Sequence, residues 1–280
     1  MLKKETLTIE GSSKKKILID YRYKTDEKNQ PIMIFCHGYK GFKDWGAWNL
    51  IFDKIAKTGI AVIKFNFSHN GGTIEKPIDF PNLEDFANDN YSKQLYDLER
   101  IIEWTKSYFD NSAYLDLNKL SLVGHSRGGG IILLKAATNS NISKVVTWSG
   151  VSDFKSRFPK GQDFENWKNK GVYYVKNGRT GQMMPHNFQF FEDFQANEKI
   201  LNIKSACEKL EIPVKIIHGQ ADESVKIEEA YLLDKYCSNS ELSLIANANH
   251  VYNTKHPWNE EDLPEPAEEL IRQTVDFISK

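Results

Sequence analysis

Short apolar runs recur along the chain at residues 32–36, 60–65, 120–123, 144–148, 214–218 and 242–245. Runs of this length without strict alternation predict strands buried on both faces of a parallel sheet. Residues 6–9 and 17–23 instead alternate polar with apolar positions, which predicts an antiparallel hairpin at a sheet edge. Between the runs the period changes to that of a helix. Residues 45–57 bring Trp48, Ile51, Phe52 and Ile55 to one face and close at Gly59, and residues 91–108 bring Leu95, Leu98, Ile101, Ile102 and Trp104 inward. Further helices are expected from Gly128 onward, at 227–236 and at 270–279. The alternation predicts an α/β fold, with a mostly parallel central sheet and helices on both faces.

Two segments interrupt it. Residues 66–90 are polar and turn-rich, with Gly71, Gly72 and Pro77. Residues 151–207 hold no strand–helix unit of the usual size, yet aromatic side chains crowd between Phe154 and Phe194. The core domain is therefore expected from residues 1–150 and 208–280, with 151–207 an inserted cap over the site. Inside it, residues 172–176 and 179–183 flank Asn177-Gly178, a dipeptide suited to a two-residue primed turn. The aromatics could line a pocket or form only the cap's own small core.

A chain of 280 residues, 40% hydrophobic, can bury a full core in one domain with insertions. Its net charge of −1, with lysine and glutamate mixed throughout, leaves no basic face, so nucleic acid is not an expected partner. The basic residues 14–16 suit the solvated turn of the edge hairpin. No stretch reaches the ~20 apolar residues of a membrane span, and the N-terminus lacks the apolar core of a signal peptide. A soluble, cytoplasmic protein is expected, with no membrane partner. Cys36, Cys207 and Cys237 are odd in number and show no CxxC pairing, which suits reduced thiols and no metal site.

Candidate chemistry centres on Ser126. It lies between the apolar run 120–123 and the helix beginning near Gly128, with Gly124 and Gly128 two residues away on either side. GxSxG at a strand-to-helix junction is the nucleophile elbow, a turn too tight for large flanking side chains that lifts the serine hydroxyl above the sheet edge. Such a hydroxyl needs a base, an orienting acid and donors for an oxyanion. In a parallel sheet these come from the carboxyl ends of strands. Of seven histidines, His250 follows the run 242–245 on a short loop and is the expected base, with His256 farther along that loop as alternative. His218 is expected beneath the loop that follows it, and His125 to point away from the hydroxyl. Asp222 follows the run 214–218 and is the expected acid. Glu223 beside it is less suited to the loop because its side chain is longer. The order Ser126, Asp222, His250 is the one this topology produces. Backbone N–H groups of Arg127 and Tyr39 are the expected oxyanion donors, the second from the glycine-flanked loop after residues 32–36.

The set His37-Gly38-Tyr39, Gly124-His125-Ser126-Arg127-Gly128-Gly129, the stretch from His218 to Val225 and Ala248-Asn249-His250 resembles the α/β-hydrolase superfamily. Within it, the chain is similar to the bacterial cinnamoyl/feruloyl esterase-like and serine-aminopeptidase-like branch. The resemblance implies a small-molecule ester or amide substrate, an acyl-Ser126 intermediate and no cofactor. It departs from the branch at Ser68-His69-Asn70-Gly71, where a Gly-His-Gly turn is usual, and at Tyr39-Lys40, where feruloyl esterases commonly have Phe-Thr. An aromatic-rich cap favours small or aryl acyl esters. A peptidase or amidase, and a hydrolase fold kept only for binding, are the alternatives.

Overall fold

A computed structural model describes residues 1–280. The chain opens with the antiparallel pair β1 (Leu2–Glu10) and β2 (Lys16–Lys24), then β3 (Gln30–Cys36), α1 (Trp48–Lys57), β4 (Ala61–Phe65), α2 (Leu83–Ala87), α3 (Tyr91–Tyr108), β5 (Leu115–His125), α4 (Arg127–Ala136) and β6 (Ile142–Trp148). An insertion follows, containing α5 (Gln162–Lys170), β7 (Val172–Lys176), β8 (Met183–Asn187), α6 (Gln189–Ala196) and α7 (Ile203–Cys207). The chain closes with β9 (Val214–Gly219), α8 (Ile227–Tyr236), β10 (Ser240–Ile245) and α9 (Glu265–Ser279).

Eight strands form one sheet in the order β1-β2-β4-β3-β5-β6-β9-β10, parallel from β4 to β10 and antiparallel at the β1–β2–β4 edge. The continuous apolar runs are explained by this burial. Ile32, Ile34, Leu122, Val145 and Ile216 join the core on one face, and Met33, Phe35, Val123, Val146 and Ile217 join the core on the other. Because side chains alternate along a strand, a strand covered on both faces is apolar at nearly every position. The first core is covered by α3, α4 and α8, together with aromatics of the insertion such as Phe154, Trp167 and Phe190; the second is covered by α1 and α9.

Helix α1 starts at Trp48, three residues later than the spacing predicts, but buries the expected Trp48, Ile51, Phe52 and Ile55. Helix α9 begins at Glu265, five residues before the expected start, because Pro264 precedes it with extended backbone and Ala267 is already buried. The turn-rich segment contains the short helix α2, capped by Asn82.

The hairpin in the insertion differs from expectation. Strands β7 and β8 pair Lys176 with Met183, so residues 177–182 form the loop and Asn177-Gly178 is not a two-residue turn. A primed turn needs positive φ at its first central residue, and at both for type I′; neither Asn177 nor Gly178 has it, and the positive-φ residue here is Gly181 (φ 74°). The Asn177 side chain accepts instead from Arg179 N at 3.1 Å, and Asn177 O accepts from Gly181 N at 2.9 Å. That local bonding stabilises the longer loop.

The three cysteines are buried and free. No helix is long and apolar enough to cross a membrane.

Candidate active site

Ser126 stands between the last residue of β5 and the first of α4, with φ 56° and ψ −120°, a conformation that costs a non-glycine residue energy. The turn is held from three directions: Ser126 N donates to Trp148 O at 2.9 Å, and Ser126 O accepts from Gly129 N and Val151 N at 2.9 and 3.2 Å. The two flanking glycines are steric necessities. A Cβ on Gly124 would stand 2.4 Å from Gly128 O, and one on Gly128 would stand 2.3 Å from Cys36 O. The hydroxyl makes no hydrogen bond within the protein and faces a cavity of about 560 Å³.

Three neighbouring loops converge on that cavity from the carboxyl ends of their strands, as the parallel sheet requires. The loop after β10 carries His250, whose imidazole lines the same cavity as Ser126. The loop after β9 carries Asp222, whose Oδ2 accepts from His250 Nδ1 at 2.8 Å. Asp222 Oδ1 accepts from Ser224 N and Val225 N at 2.8 and 2.9 Å, and the side chain is fully buried. Burial alone would raise its pKa. The bond and charge of His250 and the two backbone donors outweigh burial and hold it at about 2. The carboxylate is thus ionised and fixes the imidazole with Nε2 directed away from the acid. Glu223 is exposed.

The loop after β3 supplies Tyr39. Gly38 packs so closely that a Cβ there would lie 2.9 Å from Ser126 Cβ. Gly41 N donates to Gly38 O at 3.1 Å and turns the loop over the serine, while Tyr39 N–H has no partner in the chain. The N–H of Arg127, at the first position of α4, lacks an acceptor within its helix for the reason common to all helix starts.

Four other histidines are structural supports. His125 Nε2 is 2.8 Å from His250 O and donates to it, tethering the histidine loop to the elbow. Burial, then the neighbouring His250, lowers the pKa of His125 to about 3, so it stays neutral. His37 bridges Gly38 O (2.9 Å) and Phe67 N (3.2 Å), which ties the β3 loop to the β4 loop. His218 is buried, with Nε2 on Val225 O at 2.8 Å. His256, the alternative base, accepts from Gly46 N through Nδ1 at 2.7 Å and packs against Phe42 and Trp45, away from this cavity.

Sequence reasoning missed four groups. His186, on β8 of the insertion, shares a 2.7 Å hydrogen bond with the Tyr39 hydroxyl and lines the cavity. Lys40 and the side chains of Arg127 and Arg157 line it as well. No spacing rule points to them, because they converge from three distant parts of the chain. Tyr39 and Arg127 were identifiable only through their backbone. The aromatics divide between the two roles open in the sequence: Phe154, Phe158, Trp167 and Phe190 line the cavity, whereas Phe164, Phe188 and Phe191 pack against one another.

The profile of the Esterase family matches residues 10–263. Among solved structures, Est1E from Butyrivibrio proteoclasticus with ferulic acid bound is similar at a TM-score of 0.74, with 17% identity and 98% of both chains covered. The esterase domain of a Rhodothermus marinus protein reaches 0.64 at 16% identity, over 98% of this chain and 97% of the other. At these identities the likeness is one of fold. A curated relative, the uncharacterized peptidase YtmA of Bacillus subtilis (strain 168), is 28% identical over 119 residues. The match spans 42% of this chain and 40% of YtmA, less than half the length of either.

Proposed function

We propose, from the premise that this chain belongs to the Esterase family of α/β-hydrolases, that it is a serine carboxylesterase acting through an acyl-Ser126 intermediate on small or aryl esters. The observation that carries this reading is the strained Ser126, its hydroxyl free, facing one cavity with a His250 that is hydrogen-bonded to an ionised Asp222. Strain of this kind persists only where the surrounding structure imposes it.

In the proposed cycle His250 Nε2 takes the Ser126 proton as Oγ attacks the ester carbonyl. The N–H groups of Tyr39 and Arg127 hold the resulting oxyanion. The imidazolium then protonates the departing alkoxide, leaving the acyl group on Ser126. Water attacks next, with His250 as base, and the carboxylic acid leaves as Ser126 regains its proton. Asp222 holds the imidazole tautomer throughout. Ser126 and His250 form no hydrogen bond here; contacts of this kind commonly tighten only in the complex with substrate. Residues 151–207 serve as the cap, and their aromatics shape an apolar acyl or aryl pocket beside the serine. Est1E, similar in fold, has been seen with ferulic acid bound.

Brief exposure to a fluorophosphonate should add one adduct to the native protein by intact mass and none to Ser126→Ala or His250→Ala. Ser126→Ala should lower kcat by about 10⁴- to 10⁶-fold without loss of structure. Full turnover by that variant would sink the assignment. The partial likeness to a peptidase keeps amide cleavage as the second reading. A matched ester and amide of one acyl group separates the two.

A further inference from the structure

The cavity beside Ser126 is lined by Lys40, Arg127 and Arg157 but by no aspartate or glutamate. Arg157 has its own partner in Glu229. The other two cations are not neutralised in the same way. The Arg127 side chain is only 13% exposed, yet its guanidinium makes no hydrogen bond in the protein; its one ion pair, to Asp89, is loose at 3.5 Å. Asp89 is itself engaged by Gln94 Nε2 at 2.6 Å, and burial raises its pKa to about 7 despite the arginine. Lys40 has neither an ion pair nor a hydrogen bond. Its ammonium lies 5.1 Å from the centre of the Tyr39 ring, and the Arg127 guanidinium lies 4.4 Å from the same ring.

Two cations held against one aromatic ring repel each other, and burial adds the cost of desolvation to both. Burial, then the Arg127 charge, lowers the Lys40 pKa. His186 contributes no charge of its own, because burial, followed by Arg127 and Lys40, lowers its pKa to about 3. The aromatic faces of Tyr39, Tyr91 and Phe190 offset part of this cost for Arg127. They leave its N–H donors without a hydrogen bond, since Asp89 stands at the loose distance of 3.5 Å. A planar donor fork of this kind matches a carboxylate.

We propose that the cavity takes esters that carry a carboxylate in addition to the scissile ester, with Arg127 and Lys40 holding that anion while Ser126 attacks. The proposal rests on the serine-esterase reading above and adds the charge of the substrate to it. The departure from Phe-Thr at Tyr39-Lys40, unexplained by the catalytic groups, acquires a role.

The experiment compares two matched pairs: mono-4-nitrophenyl adipate against its methyl diester, which places the anion on the acyl side, and 4-acetoxybenzoate against its methyl ester, which places it on the leaving group. In at least one pair the anionic ester should have the higher kcat/KM by about 10- to 100-fold, as expected for a desolvated charge-assisted contact. The ratio should collapse toward one in Arg127→Met and fall partway in Lys40→Met; taken within each variant, it cancels changes common to both esters. Which pair shows the preference identifies the side that carries the anion. A ratio at or below one in both pairs, on protein that takes a fluorophosphonate on Ser126 and cleaves the neutral esters, overturns the charge proposal and leaves the esterase reading standing. Failure to label Ser126 and to cleave any of the four esters overturns both.

Discussion

Ser126 carries a conformational cost that the free side chain does nothing to offset. Its φ of 56° and ψ of −120° suit glycine, and its hydroxyl has no hydrogen-bond partner to lose. Ser126→Gly should therefore be more stable than Ser126→Ala by about 1 kcal/mol in urea denaturation, although both variants lack the nucleophile. Equal stability would mean that the elbow is unstrained. GxSxG pointed to this residue because steric demand at Gly124 and Gly128 is local and leaves a pattern in the sequence. Asp222 and His250 were also legible, since each lies a few residues past an apolar run. Lys40 stood out only as part of the Tyr39-Lys40 departure from Phe-Thr, and nothing local marked His186 or the Arg127 side chain. Their significance depends on which charges stand around one cavity, a property no single segment holds.

Among the elements, α3 joins the sheet layer to the insertion. Its N-cap, Asn90, accepts from Lys93 N at 2.8 Å and donates through Nδ2 to Gln189 Oε1 at the start of α6, also at 2.8 Å. Gln189 in turn donates to Asp89 O at 3.0 Å. Asn90→Ala should cost about 1–2 kcal/mol, since it removes a cap and strands the half-buried Gln189. Asn90→Ser, which keeps a cap acceptor without reaching α6, should recover part of that loss. A chemical-denaturation series showing Ala and Ser equally unstable would assign the effect to the α6 contact alone. Apolar periodicity found the existence and type of the sheet-layer elements, because burial on one or two faces imposes a period. It misplaced the starts of α1 and α9, and it shortened the 177–182 loop, because local backbone conformation and side-chain hydrogen bonds decide boundaries and turns.

For the whole molecule, stability should depend on pH through its buried histidines. Burial lowers the pKa of His37 and His69 to about 4 and of His125 and His186 to about 3. A histidine depressed on folding contributes stability that is present above its unfolded pKa of about 6.5 and lost as pH falls toward its folded value. Asp89 and Asp97 act in the opposite sense. Burial raises them to about 7 and about 6, so their contribution is lost as pH rises through those values. The depressed histidines outnumber the two raised carboxylates, so the unfolded state binds more protons between about pH 6 and pH 4 and stability should fall as pH falls through that window. Urea midpoints at pH 7 and pH 5 measure this. A flat profile would show that the histidines are hydrated or charged in the fold.

The sequence by itself determined the fold class, the alternation of strands and helices and the elbow around Ser126, because each rests on periodicity or on steric limits within a few residues. Only the tertiary structure decided which histidine shares a cavity with the serine and which supports a loop. It also decided which aromatics line that cavity and which close the insertion on itself, and it left Lys40 there without an acidic partner and Arg127 with only a loose one in Asp89. Those outcomes depend on distances between residues far apart in the chain, 147 positions between Tyr39 and His186 and 210 between Gly46 and His256. Such distances are set when the sheet and insertion pack together and the electrostatic interactions around the cavity are formed.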